Sequence, residues 1–588
     1  MAIQLSPGVV VNEVDLTTVV PSVSSSTGAF AGRFAWGPAN VIKPIDSETT
    51  LASVFGQPNS NTYIGYYTAA SFLAYGNDLR VVRAVTNVTY NADANTSNQI
   101  QIANDDVYEA NYHFNNNANT YGPFAARYPG ALGNSIQVDI FDSSNTTLFS
   151  NATITTGSVS KSWSGLVNGA PGTSTYVSNA GGANDEFHIA VTDAGGLFTG
   201  TKGTVLEVFS YVSKAFDATD GNNQTTYWKN VVAAQSKYVH AMDPADYSNT
   251  VATWGTTAAG KTFARISTDT YPNGNATIAL SGGTDVAISD ANLQSAFSLF
   301  ANKDAVDVSL VLTGDASTTV QQYVIDNIVT SAGSVTGRSG DAIAFISPPY
   351  SSVVNQTGNE TTNIQTWLNT LSRSSSYVVA DSGWKYMYDK YNGVYRYIPL
   401  NGDVAGLCVY TDSVRDPWYS PAGFNRGAVK NAVKLAWNPN QTQRDILYPV
   451  GINPIVSFPG NGTVLYGDKT LQAKPSAFDR INVRRLFIVL EKAIARAAKY
   501  SLFEFNDDFT RAQFVALVAP FLRDVQGRRG IYDFRVVCDT TNNTPQVIDS
   551  NQFIGDIYIK PARSINFIRL NFIAVGTGVQ FTEVTGAI

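Results

Sequence analysis

Six cations crowd one short stretch of this 588-residue chain: Arg480, Arg484, Arg485, Lys492, Arg496 and Lys499. Only Asp479 and Glu491 oppose them, so residues 476–500 carry a formal charge of +4. Guanidinium and ammonium groups at this density can grip an acidic partner, each exposed pair contributing about 0–1 kcal/mol. Such a strip registers a partner without locking it. The competing reading, a solvated helix face, is not excluded by charge alone.

Other chemistry is weaker. The run GTVLYGDKT (462–470) nearly matches a phosphate-binding loop, but Asp468 puts a carboxylate where phosphate oxygens would sit, and Pro475 precludes a helix directly after it. A β-turn after an apolar strand is the simpler reading. A serine hydrolase needs a histidine base beside its nucleophile. The three histidines, His113, His188 and His240, all precede the region where α/β texture begins. Two cysteines 130 positions apart and scattered histidines have no metal-ligand spacing, so no metal or other cofactor is expected. Cys408 and Cys538 lie in apolar contexts and read as buried, reduced thiols.

The element that positions the cations reads as a long amphipathic helix over 476–500. Ser476 is its expected N-cap, with Asp479 three residues on. Val483, Leu486, Phe487, Leu490, Ile494 and Ala497 recur at spacings of three and four and form its apolar stripe. The cations then occupy the outer face.

Composition bounds the rest. The chain is too long for one core and suggests three or four domains, with 44% hydrophobic residues marking it as globular. Net charge is −7, unevenly spread: residues 381–588 hold 24 Lys/Arg against 18 Asp/Glu, leaving −13 for residues 1–380. Two surfaces with different neighbours follow. A sequence pI near 5.1 with no reading motif argues against nucleic acid. The start has no secretory pattern, and no run approaches the ~18 apolar residues of a membrane span, so no membrane insertion is expected.

Along the chain, residues 1–20 read as an arm with a short β pattern at Val9, Val11 and Val14. Residues 21–86 are mixed, with strands expected at 29–34 and 78–85 around a helix near 62–75. Residues 87–126 contain no Lys or Arg and much Asn, the texture of an exposed, loop-rich insertion or a small β element. Gly-, Ser- and Thr-rich β-like sequence continues to about 280, with one helix expected at 205–215. From 285 strands and helices alternate, which implies a parallel sheet of crossover units. From 452 come the basic helix, a second helix at 510–526 and strands at 532–538, 553–559 and 564–575. In the tail, 576–588, Val579, Phe581 and Val584 are spaced for a further strand.

Eight ordered motifs now point one way. FDRINVRRLF (478–487), LYGDKT (465–470), RVVCDTTNNTP (535–545) and IYIKPARSINFIRLNF (557–572) resemble the contractile-tail sheath proteins of bacteriophages, in particular those of large T4-like myophages. So do KYNGVYRYIPLNGDVAGLC (390–408), SPAGFNRG (420–427), SPG (6–8) and YGNDLRVVRAV (75–85). The resemblance runs almost end to end and thins between about 87 and 284.

It implies a multidomain α+β and α/β protein: an arm (1–20), a mixed α/β segment (21–86), β-rich outward-facing modules (87–284), a subtilisin-like α/β domain (285–451), an α+β C-terminal sheath domain facing the tube (452–575) and a C-terminal arm (576–588). It implies a structural subunit of the virion, assembled in the host cytoplasm as stacked hexameric rings around a tail tube, with baseplate and tail terminator proteins as further partners. Contraction would drive the tube through the bacterial envelope. The sheath of a phage-derived injection particle is the alternative; a subtilisin-like hydrolase is disfavoured because fold does not carry function. The arms would exchange strands between subunits, and the six cations are the candidates to face the tube. Positions 484 and 485 diverge by about 100° on a helix, so not all can do so, and at least one is expected to serve an intramolecular carboxylate.

Overall fold

The computed structural model describes residues 24–95, 99–113, 121–242, 253–266, 273–330, 338 and 340–566. They form two compact units, Ser22–Pro417 with Pro421–Ala493, and Trp418–Ser420 with the chain from Ile494. The arm residues Val9, Val11, Val14, Val579, Phe581 and Val584 lie outside the described residues, as does most of the strand expected at 564–575.

The larger unit is built on a seven-stranded sheet. In spatial order its strands are Ile452–Asn453, Val378–Asp381, Ile343–Ile346, Leu310–Leu312, Gly28–Gly32, Leu79–Arg83 and Ile42–Ile45. All neighbours are parallel except the last pair. Side chains alternate between its faces, as the pleat requires. Phe30, Leu310, Leu312, Ile343 and Phe345 join one core, with helices Tyr63–Leu73 and Asn401–Val414. Ala29, Ala31, Val311 and Ala344 join the other, with helix Asp290–Ser298 and the helix Thr318–Tyr323, which widens into a π segment at Val324–Val329. Helices on both faces explain why the strands read as continuous apolar runs.

The glycines of the NGDVAG motif have a packing reason. A Cβ on Gly402 would sit 2.5 Å from the Thr68 carbonyl oxygen, and one on Gly406 would sit 2.4 Å from the Tyr75 ring. They let Asn401–Val414 approach its neighbouring helix closely. Beside them Lys385 and Asp403 form a buried ion pair at 2.8 Å, to which Tyr75 adds its hydroxyl at 3.2 Å.

Residues 21–86 supply three of the seven strands and are continuous with the α/β region across the intervening β-rich sequence. The boundary expected at 452 also moves: Ile452–Asn453 is an edge strand of this sheet, and the compact unit continues to Ala493.

Between Leu79–Arg83 and Leu310–Leu312 the chain builds an antiparallel sheet in the order Asn275–Ala279, Ile136–Phe141, Glu186–Asp193, Thr204–Ser213. The last strand replaces the helix expected at 205–215. Its Val205, Val208 and Val212 mimic helical spacing, but register shifts between Phe187 and Ile189 and between Val191 and Thr192 break the period of two. Tyr211 takes a φ of 54°, and β-branched Val favours the strand.

The described residues of 87–126 fit the small β element rather than the exposed loop. Ile100, Ile102, Tyr108 and Ala125 form a buried cluster, and Phe124–Ala126 pairs with Val239–Ala241. Asparagine substitutes for a ladder here: Asn91 donates to the carbonyls of Ile102 and Ala126 and accepts from the Ile102 amide. The triplet 115–117 lies outside the described residues.

In the smaller unit, helix Asp508–Gly527 is capped by Asp507, which accepts the Thr510 amide at 2.8 Å. Strands Ile531–Val537 and Asp556–Pro561 form a two-stranded antiparallel sheet.

Candidate assembly interface

The long helix runs from Ile481 to Ala498, five residues later than its expected start. Ser476 does not cap it; its hydroxyl accepts from the Phe478 amide and from the Gln472 side chain. Val483, Leu486, Leu490 and Ala497 are buried as the stripe requires. Around its first turns, however, burial goes all the way round and takes in Asn482, Arg484 and Arg485.

The cation strip therefore divides, and further than the divergence of 484 and 485 requires: Arg484, Arg485 and Lys492, all tube-facing candidates, are engaged inside the unit. Arg485, 3% exposed, pairs with Asp412 at 2.6 Å and also donates to the carbonyls of Cys408 and Ser25. Burial works against its charge, and Asp412 more than compensates, so its pKa is raised. Arg484, 5% exposed, lies between the rings of Tyr377 and Phe478 and donates to the hydroxyls of Tyr377 and Ser376. Burial lowers its pKa. Lys492 donates to Asp307, to the Val308 carbonyl and to Ser309, all within 2.9 Å, which saturates its ammonium group. Arg480 pairs with Asp468 and the Tyr448 hydroxyl. A buried cation persists only with such partners. Arg496 and Lys499 are exposed.

Several residues whose types could do chemistry are held by structural contacts. At the C-terminal ends of the parallel strands, where α/β folds receive ligands, Ser347 donates to Asp381 at 2.6 Å and accepts from both the amide and the side chain of Asn401. Asn401 in turn exchanges hydrogen bonds with Gly314. All three side chains are buried, and burial pushes Asp381 up to about 8. His188 is held by the Tyr211 amide and the Gly169 carbonyl, His240 stacks on Tyr108, and His113 pairs with Glu109. Residues 462–465 of the phosphate-loop match are a hairpin strand paired with Ile455–Phe458, and 466–468 run on as irregular chain to a bridge between Lys469 and Arg480. Cys408 and Cys538 are free and buried, and burial pushes the Cys408 thiol up to about 12.

One exposed feature was not anticipated. Beyond the helix, Tyr500, Leu502, Phe503, Phe505 and Phe509 stand 62–103% exposed. The signal available in the sequence was SLFEFNDDF, aromatic residues outside any amphipathic period. Exposed aromatic clusters of this kind mark interaction surfaces.

Residues 275–471 match the phage tail sheath protein central domain and residues 473–574 the phage tail sheath C-terminal domain. The chain belongs to the phage tail sheath family. It is 34% identical to the tail sheath protein of Vibrio phage KVP40, over 99% of this chain and 100% of that protein. Identity to the tail sheath protein of Enterobacteria phage T4 is also 34%, over 99% of each chain. The solved sheath tail protein of Listeria innocua shares its mixed α/β fold at 10% identity, with a TM-score of 0.50 over 92% of this chain and 96% of that one. The protein is thus a contractile-tail sheath subunit, a structural component of the phage particle.

Proposed function

We propose that this subunit assembles as stacked rings of six into a helical sleeve around the tail tube, anchored at the baseplate and closed by the terminator, and that contraction drives the tube through the bacterial envelope. The observation that carries this reading is whole-length identity to two tail sheath proteins. Assembly in the host cytoplasm and the absence of enzymatic activity are parts of the same reading. The energy would reside in the difference between two sets of subunit contacts.

The parallel sheet with its buried, glycine-containing helix suits a subtilisin-like domain, and the antiparallel modules suit the outer surface. Arms would complete the sheet of Ile531–Val537 and Asp556–Pro561. Two strands are marginal alone, and added strands supply main-chain hydrogen bonds. Arg496 and Lys499 are the remaining candidates for a releasable grip on the tube.

Electron microscopy of the purified protein tests this. Hollow sleeves or six-membered rings are expected. Dispersed monomers with hydrolytic activity would overturn it.

A further inference from the structure

A helical sleeve needs heterologous contacts, in which one patch of a subunit meets a different patch of the next and the series does not close. The chain carries two unpartnered features that suit each other as such patches.

The first is the loop between helices Ile481–Ala498 and Asp508–Gly527. Phe503 is fully exposed and takes a φ of 70°. A bulky side chain in the left-handed region is strained, and such strain collects at functional sites. Phe505 stands beside it, 85% exposed. The loop is acidic as well as aromatic: Glu504 is exposed, while Asp507 caps the following helix and Asp508 pairs with Arg511.

The second is a cavity of about 620 Å³ in the larger unit, between helix Tyr63–Leu73, strand Trp384–Asp389 and the stretch from 429 to 433. That size lies within the range of roughly 300–1,000 Å³ that receives ligands or bulky side chains. Its lining includes Ala70, Leu73, Met387 and Ala432, with exposed Tyr388 and Val433 at the rim. Ser71, 4% exposed, also lines it, and its hydroxyl has no hydrogen-bond partner among the described residues. The surroundings are basic. Lys390 lines the cavity, and exposed Lys430 and Lys434 flank the lining residues in sequence. Glu48 is the acid of the lining, and it pairs with Lys390.

We infer that the 502–507 loop of one copy docks in this cavity of a second copy, with Phe503 or Phe505 as the anchor and exposed Glu504 meeting the lysines. This pairs an aromatic anchor with a pocket of mixed apolar and polar lining, and opposite charges with each other, as interface hot spots do. It rests on the sheath reading for its biological setting, but the contact can be tested by itself.

Full-length chains bearing only Val433→Cys are mixed with chains bearing only Phe503→Cys and oxidised. The native thiols are buried. A mixed disulfide dimer is expected at roughly tenfold or more over a control pairing Phe503→Cys with the exposed site Asn222→Cys. Lys390→Glu should lower the yield and Glu504→Lys on the partner should restore it. Control-level crosslinking in sleeves that otherwise form normally overturns the docking while leaving the sheath reading intact. If no sleeves form, the same crosslink in concentrated solution still decides: its presence supports the docking, its absence overturns it. A crosslink within one chain of the doubly substituted protein, at concentrations where it is monomeric, overturns the assignment to a second copy.

Discussion

The two halves of the long helix carry similar charges and treat them in opposite ways. From 481 to 492, Arg484, Arg485 and Lys492 are enclosed by hydroxyls, carbonyls and carboxylates of the larger unit. From 494 onward, Arg496 and Lys499 face solvent. The difference teaches that a positive strip in a sequence is not yet a surface. Arginine carries five donors on an apolar stem, so it can sit in a core wherever the neighbouring chain offers acceptors.

The comparison breaks most visibly at Arg485. Arg485→Ala should destabilise the monomer by about 3–5 kcal/mol, because it leaves Asp412 largely buried without its cation. Denaturant unfolding measures this, and alkylation of the adjacent Cys408, slow in the native protein, should accelerate. A loss under about 1 kcal/mol would place Arg485 with the outer cations. Lys492→Met should cost less, about 1–3 kcal/mol, since Ser309 and the Val308 carbonyl lose a donor while half-exposed Asp307 can rehydrate. An unaltered midpoint would mean that the expected outward Lys492 was the better description.

The outer half should behave in reverse. Arg496→Glu with Lys499→Glu should move monomer stability by less than about 0.5 kcal/mol per site. Polymerisation on purified tube should nevertheless weaken more than polymerisation into empty sleeves. The wild-type preference for tube should fade between 0.05 and 0.5 M salt, where screening falls well below about 10 Å. Equal loss of both assemblies would assign these cations to another sheath subunit.

Much of the fold was legible because it is local. The helices at 290–298 and 508–527 and the strands at 136–141 and 343–346 announce themselves by period and boundary residues. What failed was information held elsewhere in the chain. Asp412 lies 73 residues from Arg485 and Asp307 lies 185 from Lys492, so no window around the helix contains their partners. The strand Thr204–Ser213 hid behind its bulges, and the buried Asn91 network looked like a loop because side chains make the bonds that a ladder would make. The junction of 28–83 with the strands after 310 is likewise invisible to any period. Family motifs conveyed the identity while leaving these placements open.

That junction also sets an order of events on the ribosome. Gly28 needs Leu310 beside it, about 280 residues later. At roughly 5–20 residues per second its strand waits some 15–60 s for that neighbour, while the whole antiparallel module is synthesised in between. The module should therefore fold first and hold the nascent first strands until the sheet can close around Gly28–Gly32. Chains arrested on the ribosome near residue 325, with Asn275–Ala279 emerged and Leu310–Leu312 still in the exit tunnel, should resist protease over 136–213 and remain cleavable before residue 84. Protection of both segments at that length would show that the early strands find a temporary shelter.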